Sequence, residues 1–252
     1  NSLYITIWII ITHKIFLINT FKMKQKFTIL FDLDGTLIDT APDLMNAHNH
    51  VMKKFGFEER ELNDIKKLAG RGSKAMINKS IQEMAERTGK ILETNNQIEE
   101  EMTKEFLNFY SNNICKKSKP LDGVTNFLMW CKKNHISMAV CTNKQEHLSI
   151  NLLKEIKLYD FFEYVAGGNT FEYNKPDPRH LTSVVEIIGG DLKKTIMIGD
   201  SETDSASAST AGIPFILIAN GYTKKNPEQI IHKHLVKNFI GLEKIIEKYL
   251  ND

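Results

Sequence analysis

The sequence predicts an α/β protein: a Rossmann-like three-layer core around a parallel sheet, plus a small all-helical insertion after the first strand. Three observations predict it. Phe27–Phe31 is β-branched, aromatic or aliphatic throughout, as a strand buried on both faces reads. Apolar runs at 136–141, 164–166, 195–199 and 214–218 alternate with stretches of helical period, which implies right-handed βαβ units. Between the first strand and these, residues 41 to about 116 carry helical periodicity and no strand pattern.

Taken in order, residues 1–22 stand apart. Ile5–Ile11 and Ile15–Ile18 are largely apolar, but His13 and Lys14 interrupt them, leaving fewer than the roughly 20 apolar residues that span a bilayer. No basic segment precedes them and no small-residue cleavage site follows, so no secretory signal is expected. Met23-Lys-Gln-Lys leads directly into the first strand, so residues 1–22 read as an extension outside the fold, with a weak membrane anchor as the alternative. The core is expected over 23–40 and 117–252, with 41–116 as the helical unit. Thr40-Ala-Pro-Asp43 reads as a helix start, with Thr40 as N-cap, Pro42 in the first turn and Asp43 favourable to the dipole. Leu44, Ala47, Val51 and Phe55 continue it to Gly56. Three more helices are marked by Leu62/Ile65/Leu68, by Met76/Ile77/Ile81/Met84 and by Ile98/Met102/Phe106/Phe109. After Pro120 helices are expected over about 122–134, 146–157, 178–188 and 203–210, and Leu242, Ile245, Ile246 and Tyr249 mark an amphipathic closing helix.

Composition excludes several classes. A chain of 252 residues that is 42% hydrophobic and 25% charged has the balance of a soluble globular protein, and its net charge of +2 predicts no nucleic-acid surface. Cys115, Cys131 and Cys141 are odd in number and lack metal-ligand spacing, which fits a reducing, cytoplasmic setting.

The chemistry gathers at strand ends. Asp32 and Asp34 follow the first strand at i and i+2, so both carboxylates can face one spot beyond it, where open α/β sheets bind ligands. Paired carboxylates must share a proton or a cation; one can attack phosphorus while the other moves a proton. Gly35 permits the sharp turn; an ordinary Asp-Gly turn is the plainer reading. Cys141-Thr142-Asn143-Lys144 offers a hydroxyl and amide donors, or simply a helix N-cap. Lys175, held extended by Pro176, would neutralise phosphate, or else is a solvated loop lysine. Gly199-Asp200-Ser-Glu-Thr-Asp204 concentrates carboxylate again. Asp32, Asp200 and a nearby carbonyl offer hard oxygen ligands for Mg²⁺, with Asp204 one helical turn on to steady its water shell. Capping the next helix needs only one acid and leaves the coincidence of four such strand ends unexplained.

These four signatures, in order, resemble the motifs of the haloacid dehalogenase superfamily, and the likeness runs from about Phe27 to Tyr222. Within it the chain looks most like the phosphoglycolate phosphatases. Asp39-Thr-Ala-Pro-Asp43 with Asn49 and Gly56, Gly70-Arg-Gly72, Gly167-Gly-Asn-Thr170 leading to Lys175-Pro-Asp-Pro178, and Gly221-Tyr222 are similar to that family's landmarks; Asn169 stands where relatives commonly carry Asp. The resemblance implies that Asp32 is the nucleophile and Asp34 the acid/base. It implies that Thr142, Asn143 and Lys175 hold the phosphoryl group. Asp32, the Asp34 carbonyl and Asp200 would hold Mg²⁺ with Asp204 behind. It makes the insertion a cap over the site, with Arg71 and Lys74 as candidates for a substrate carboxylate, or as a solvated helix start. The partner implied is a small-molecule phosphate ester. Phosphoglycolate is the first expectation; pyrophosphate, a nucleotide or a sugar phosphate, a mutase reaction, and a catalytically silent binding protein are the alternatives.

Overall fold

The computed structural model describes residues 26–70, 72–88, 96–219, 221–223 and 225–251. The extension at 1–22, Met23 and Arg71 therefore lie outside the described residues. The order of elements is β1 (Thr28–Phe31), β2 (Ile38–Asp39), α1 (Ala41–Lys54), α2 (Leu62–Leu68), α3 (Ser73–Thr88), α4 (Asn96–Asn112), β3 (Lys119–Pro120), α5 (Val124–Lys133), β4 (Ser137–Cys141), α6 (Glu146–Glu155), β5 (Tyr164–Ala166), α7 (Arg179–Ile187), β6 (Thr195–Gly199), α8 (Glu202–Thr210), β7 (Phe215–Ile218), β8 (His234–Val236) and α9 (Glu243–Asn251).

Six strands form one sheet in the order β5-β4-β1-β6-β7-β8, parallel at every pairing. The chain runs outward from β1 on one side, then returns to lay β6 against β1's other edge. That reversal is a topological switch point, and it opens a crevice beyond the carboxyl end of β1. Alternation sorts the core: Ile29 and Phe31 face one layer with Phe127 and Phe239, whereas Leu30 faces the other with Leu181, Val184 and Ala208. Burial of β1 on both faces is what its unbroken apolar run requires.

Within the insertion α1 packs on α2 and α4, and α3 on α4, around Met52, Ile65, Met102 and Phe106. Two short strands that the sequence did not predict, β2 and β3, pair antiparallel where the chain enters and leaves this helical unit. Two residues are too few to carry a periodicity. Asp43 ties the same crossing: its carboxylate accepts from Lys117 N at 2.9 Å, Ser118 N at 2.8 Å and Ser118 Oγ at 2.7 Å. Thr40 occupies the N-cap position, but its backbone is already helical (φ −96°, ψ −7°) and its side chain makes no capping bond. Strand β8, also unpredicted, comprises three residues in a charged stretch at the sheet's edge. Among the described residues, no helix is long and apolar enough to cross a membrane.

One buried histidine on the back of the sheet has a consequence for acid stability. His180 on α7 is fully buried, with Nε2 3.2 Å from the Gly167 carbonyl, which requires the proton on Nε2. Burial, helped by the charge of Lys175, lowers its pKa from 6.5 to about 4. The unfolded histidine takes up a proton that the folded one refuses, so stability is full above pH 6.5 and is lost as pH falls towards 4, by up to about 3 kcal/mol. His48, buried between α1 and α3, shifts in the same direction, mainly through burial. Urea unfolding at pH 7 and pH 4.5 should show a loss about 2 kcal/mol smaller for His180→Gln than for wild type. Equal losses would mean that the ring protonates within the fold.

Candidate active site

Strand β1 delivers Asp32, whose N–H donates to the Ile198 carbonyl of β6 at 2.9 Å and fixes the carboxylate at the switch point. The chain then turns within four residues, Gly35 N–H donating to the Ile38 carbonyl at 2.8 Å. Gly35 is required twice over: its φ is +83°, and a Cβ there would lie 2.5 Å from Asp200 Oδ2 and 2.8 Å from the Tyr222 ring. The turn places Thr36, whose hydroxyl donates to Asp200 Oδ1 at 2.9 Å. Asp200 Oδ2 accepts from Tyr222 N–H. The Tyr222 hydroxyl in turn donates to Asp39 at 2.6 Å and accepts from Ala41 N–H at 2.8 Å, linking the loop that holds Asp200 to the start of the insertion.

Asp32, Lys175, Asp200 and Asp204 form a single buried cluster. Lys175 Nζ lies 2.9 Å from Asp32 Oδ1 and 2.5 Å from Asp204 Oδ1. Burial alone would pull its ammonium down, but Asp204 and Asp32 outweigh burial and raise its pKa. Burial raises Asp32 to about 6 despite Lys175 beside it, with repulsion from Asp204 adding to the rise. Asp200 is pushed well above the usual carboxylate range by burial and then by repulsion from Asp32 and Asp204. Asp32, Asp200 and Asp204 each offer an oxygen within 4.8 Å of the others. Three buried carboxylates against one ammonium are a donor set short of positive charge, and a divalent cation fits that deficit. Asp204, however, is heavily engaged: Oδ1 takes Lys175, and Oδ2 takes Ser201 Oγ at 2.7 Å and Ser201 N–H at 3.1 Å in a capping box that starts α8. Asp204 is thus a helix cap, as one sequence reading has it, and at the same time an ion-pair partner of Lys175.

The end of β4 brings Thr142, Asn143 and Lys144 to the same cavity of about 230 Å³, with Asp32 and Asp34 also in its lining. Thr142 is buried; its hydroxyl accepts from Lys144 N–H at 3.3 Å and keeps its own proton to donate. Asn143 differs from expectation. Its amide donates to the Lys175 carbonyl at 2.9 Å and the Gly70 carbonyl at 3.2 Å, so both hydrogens brace neighbouring loops instead of remaining free for a ligand. Asn169 accepts Glu146 N–H at 2.8 Å, a bond that an Asp oxygen would make equally. Lys74 is exposed at the cavity's edge. The insertion supplies Tyr110 and Met76 to the walls.

Sequence reasoning missed three participants. Thr36 and Tyr222 hold Asp200, and Lys144 lies 3.1 Å from both Asp34 oxygens and 2.8 Å from the Tyr110 hydroxyl. Lys144 stood inside a quoted signature, but its partners are 110 and 34 residues away, beyond any local pattern.

Residues 29–218 match the haloacid dehalogenase-like hydrolase family. A phosphoglycolate phosphatase of Mesorhizobium japonicum is 36% identical over 214 residues, spanning 85% of this chain and 92% of that enzyme. One from Caulobacter vibrioides is 34% identical over 217 residues, spanning 86% and 89%. A crystal structure from Haemophilus somnus, described as a predicted phosphoglycolate phosphatase, superimposes with a TM-score of 0.83 over 89% of this chain and 99% of its own, at 24% identity, a likeness of fold. Family match, identity along nearly the whole relative and carboxylates gathered at the switch point agree: the chain belongs to the haloacid dehalogenase-like hydrolases and is a phosphoric monoester hydrolase.

Proposed function

We propose that this enzyme hydrolyses 2-phosphoglycolate to glycolate and phosphate, with Mg²⁺, through an aspartyl-phosphate on Asp32. The observation that carries the reading is the convergence of Asp32, Lys175 and Asp200 at one end of the sheet, with Asp34 in the same cavity lining as Asp32. An Asp32 oxygen attacks phosphorus, the bond from phosphorus to the leaving oxygen breaks, and Asp34 gives that oxygen a proton. Asp34 then takes a proton from water, which attacks phosphorus and frees Asp32. Lys175 and the Thr142 hydroxyl hold the non-bridging oxygens, over which the transition-state charge spreads; Asn143 acts from behind by fixing the Lys175 loop. Asp32, Asp200 and the Asp34 carbonyl would hold Mg²⁺, with Asp204 behind them, and the ion supplies the positive charge that lets a carboxylate meet an anionic ester.

The substrate choice follows the names of the relatives from Mesorhizobium and Caulobacter, and a cavity of about 230 Å³ suits a molecule of few heavy atoms. Residues 41–116 act as a cap on a core of 23–40 and 117–252; the β2–β3 pair and the Asp43 clamp support this division. Three free thiols support a reducing, cytoplasmic setting.

A panel of small phosphomonoesters and pyrophosphate tests the reading. The highest kcat/KM is expected for 2-phosphoglycolate, with activity lost in EDTA and restored by Mg²⁺. Pyrophosphate or a sugar phosphate in first place would overturn the substrate, and metal-independent release would overturn the Mg²⁺ assignment. Independently of turnover, Mg²⁺ at a hundredfold its Kd should stabilise the wild type by about 2.7 kcal/mol and leave Asp200→Asn nearly unmoved in thermal melts.

A further inference from the structure

We propose that Lys144, with Tyr110, recognises a carboxylate on the carbon next to the ester oxygen of the substrate and so sets the enzyme's preference among small phosphate esters. The inference rests on the phosphatase reading above. It concerns the part of the cavity that the phosphoryl chemistry leaves unused.

Lys144 is 8% exposed and its ammonium is fully directed: two N–H groups meet the Asp34 oxygens at 3.1 Å and one meets the Tyr110 hydroxyl at 2.8 Å. Its Nζ also stands 4.4 Å from the centre of the Tyr110 ring. Burying a lysine is costly unless it is paired, and here Asp34 pairs it. Tyr110 belongs to α4 of the insertion, is 1% exposed, and is stacked on Phe106 with ring centres 5.7 Å apart. Burial and the nearby Asp34 charge raise its pKa, so the phenol remains a donor; its proton has no acceptor among the described residues. A phenol O–H and an ammonium facing one cavity make a receptor for a carboxylate.

Position selects which carboxylate. The leaving oxygen of the ester must sit within hydrogen-bond reach of Asp34, roughly 3 Å away. Lys144 touches the same Asp34, so a carboxylate two bonds beyond the leaving oxygen falls beside its Nζ. In the same lining Leu44, Met76 and Phe106 are apolar and offer such a group nothing, and Ser73, Gln145 and Asn174 are uncharged. The two carboxylates compete for one ammonium, and the substrate's wins Lys144 away from Asp34 as it enters. Of the two cations suggested by the sequence for this task, Arg71 lies outside the described residues and Lys74 stands exposed, whereas Lys144, which the sequence did not suggest, is inside.

The test compares 2-phosphoglycolate with ethyl phosphate, which has the same backbone and no carboxylate, in the full-length enzyme with Mg²⁺. Wild type should favour phosphoglycolate in kcat/KM by about 10²-fold or more. Lys144→Met should bring that ratio within about 3-fold of unity, chiefly through KM for phosphoglycolate. Lys144→Arg should retain a preference, and Tyr110→Phe should lower it several-fold. If Lys144→Met lowers both substrates equally, the residue serves Asp34 alone and the inference is overturned. Should that variant not fold, an unchanged ratio in Tyr110→Phe overturns it instead. A wild type that cleaves both esters equally well overturns this inference and leaves the phosphatase reading standing. A wild type that cleaves neither ester, nor an aryl phosphate, overturns the phosphatase reading itself.

Discussion

Asp32→Asn is expected to lower kcat for phosphate release by at least about 10⁴-fold while making the metal-free protein more stable. The amide keeps the shape of the carboxylate, so the β1 end and its bond to Ile198 should survive. In the proposed mechanism what is lost is the attacking oxygen; among the described residues the neighbouring carboxylates are engaged, Asp34 by Lys144, Asp200 by Thr36 and Tyr222, and Asp204 by Lys175 and Ser201. Stability moves the other way because burial and Asp204 disfavour the Asp32 charge more than Lys175 favours it, as its raised pKa of about 6 records. Removing one of three crowded negative charges should raise the unfolding free energy in EDTA by about 1–3 kcal/mol at pH 7. Urea titrations in EDTA and a phosphate-release assay measure the two effects on one preparation. Retained turnover would transfer the nucleophile's role elsewhere; lost turnover with lost stability would mean that the carboxylate is structural.

How much of this was legible in the sequence depends on the range over which each signal acts. β1 was legible because burial on both faces demands an uninterrupted apolar run, and Asp32 because it ends that run. The helices of the insertion were legible from periodicity: Ile65, Ile77 and Phe106 are all buried as their spacing required. The site was legible as four strand ends, since parallel topology brings carboxyl ends to one edge. Illegible were the bonds that turn candidates into machinery. Nothing local distinguishes a phosphate-binding Asn143 from one that braces the Lys175 and Gly70 carbonyls. Likewise, Tyr222 reads as a strand end, and only the fold brings its hydroxyl to Asp39, 183 residues away. The two-residue strands β2 and β3 and the three-residue edge strand β8 fall below the length at which a pattern can exist.

Lys175→Met should combine the largest loss of stability with a loss of activity on the order of 10³-fold. Methionine matches the length of the stem, so a cavity is not the cause; the cause is charge. Lys175 is 3% exposed and is the ammonium that meets both Asp32 at 2.9 Å and Asp204 at 2.5 Å. Its removal leaves buried carboxylates facing one another, a change that costs roughly 3–5 kcal/mol when one partner of a buried ion pair is deleted. Asp204 would feel it through its second role, because the same carboxylate caps α8 through Ser201 and holds the Asp200 N–H at 3.2 Å. A bound divalent cation replaces part of the missing charge, so Mg²⁺ should stabilise Lys175→Met by more than it stabilises wild type. Chemical denaturation with and without Mg²⁺ reads this difference directly. An equal Mg²⁺ increment in both proteins would mean that the ammonium and the metal serve separate clusters, which the place of Asp32 in both the Lys175 ion pair and the three-carboxylate group argues against.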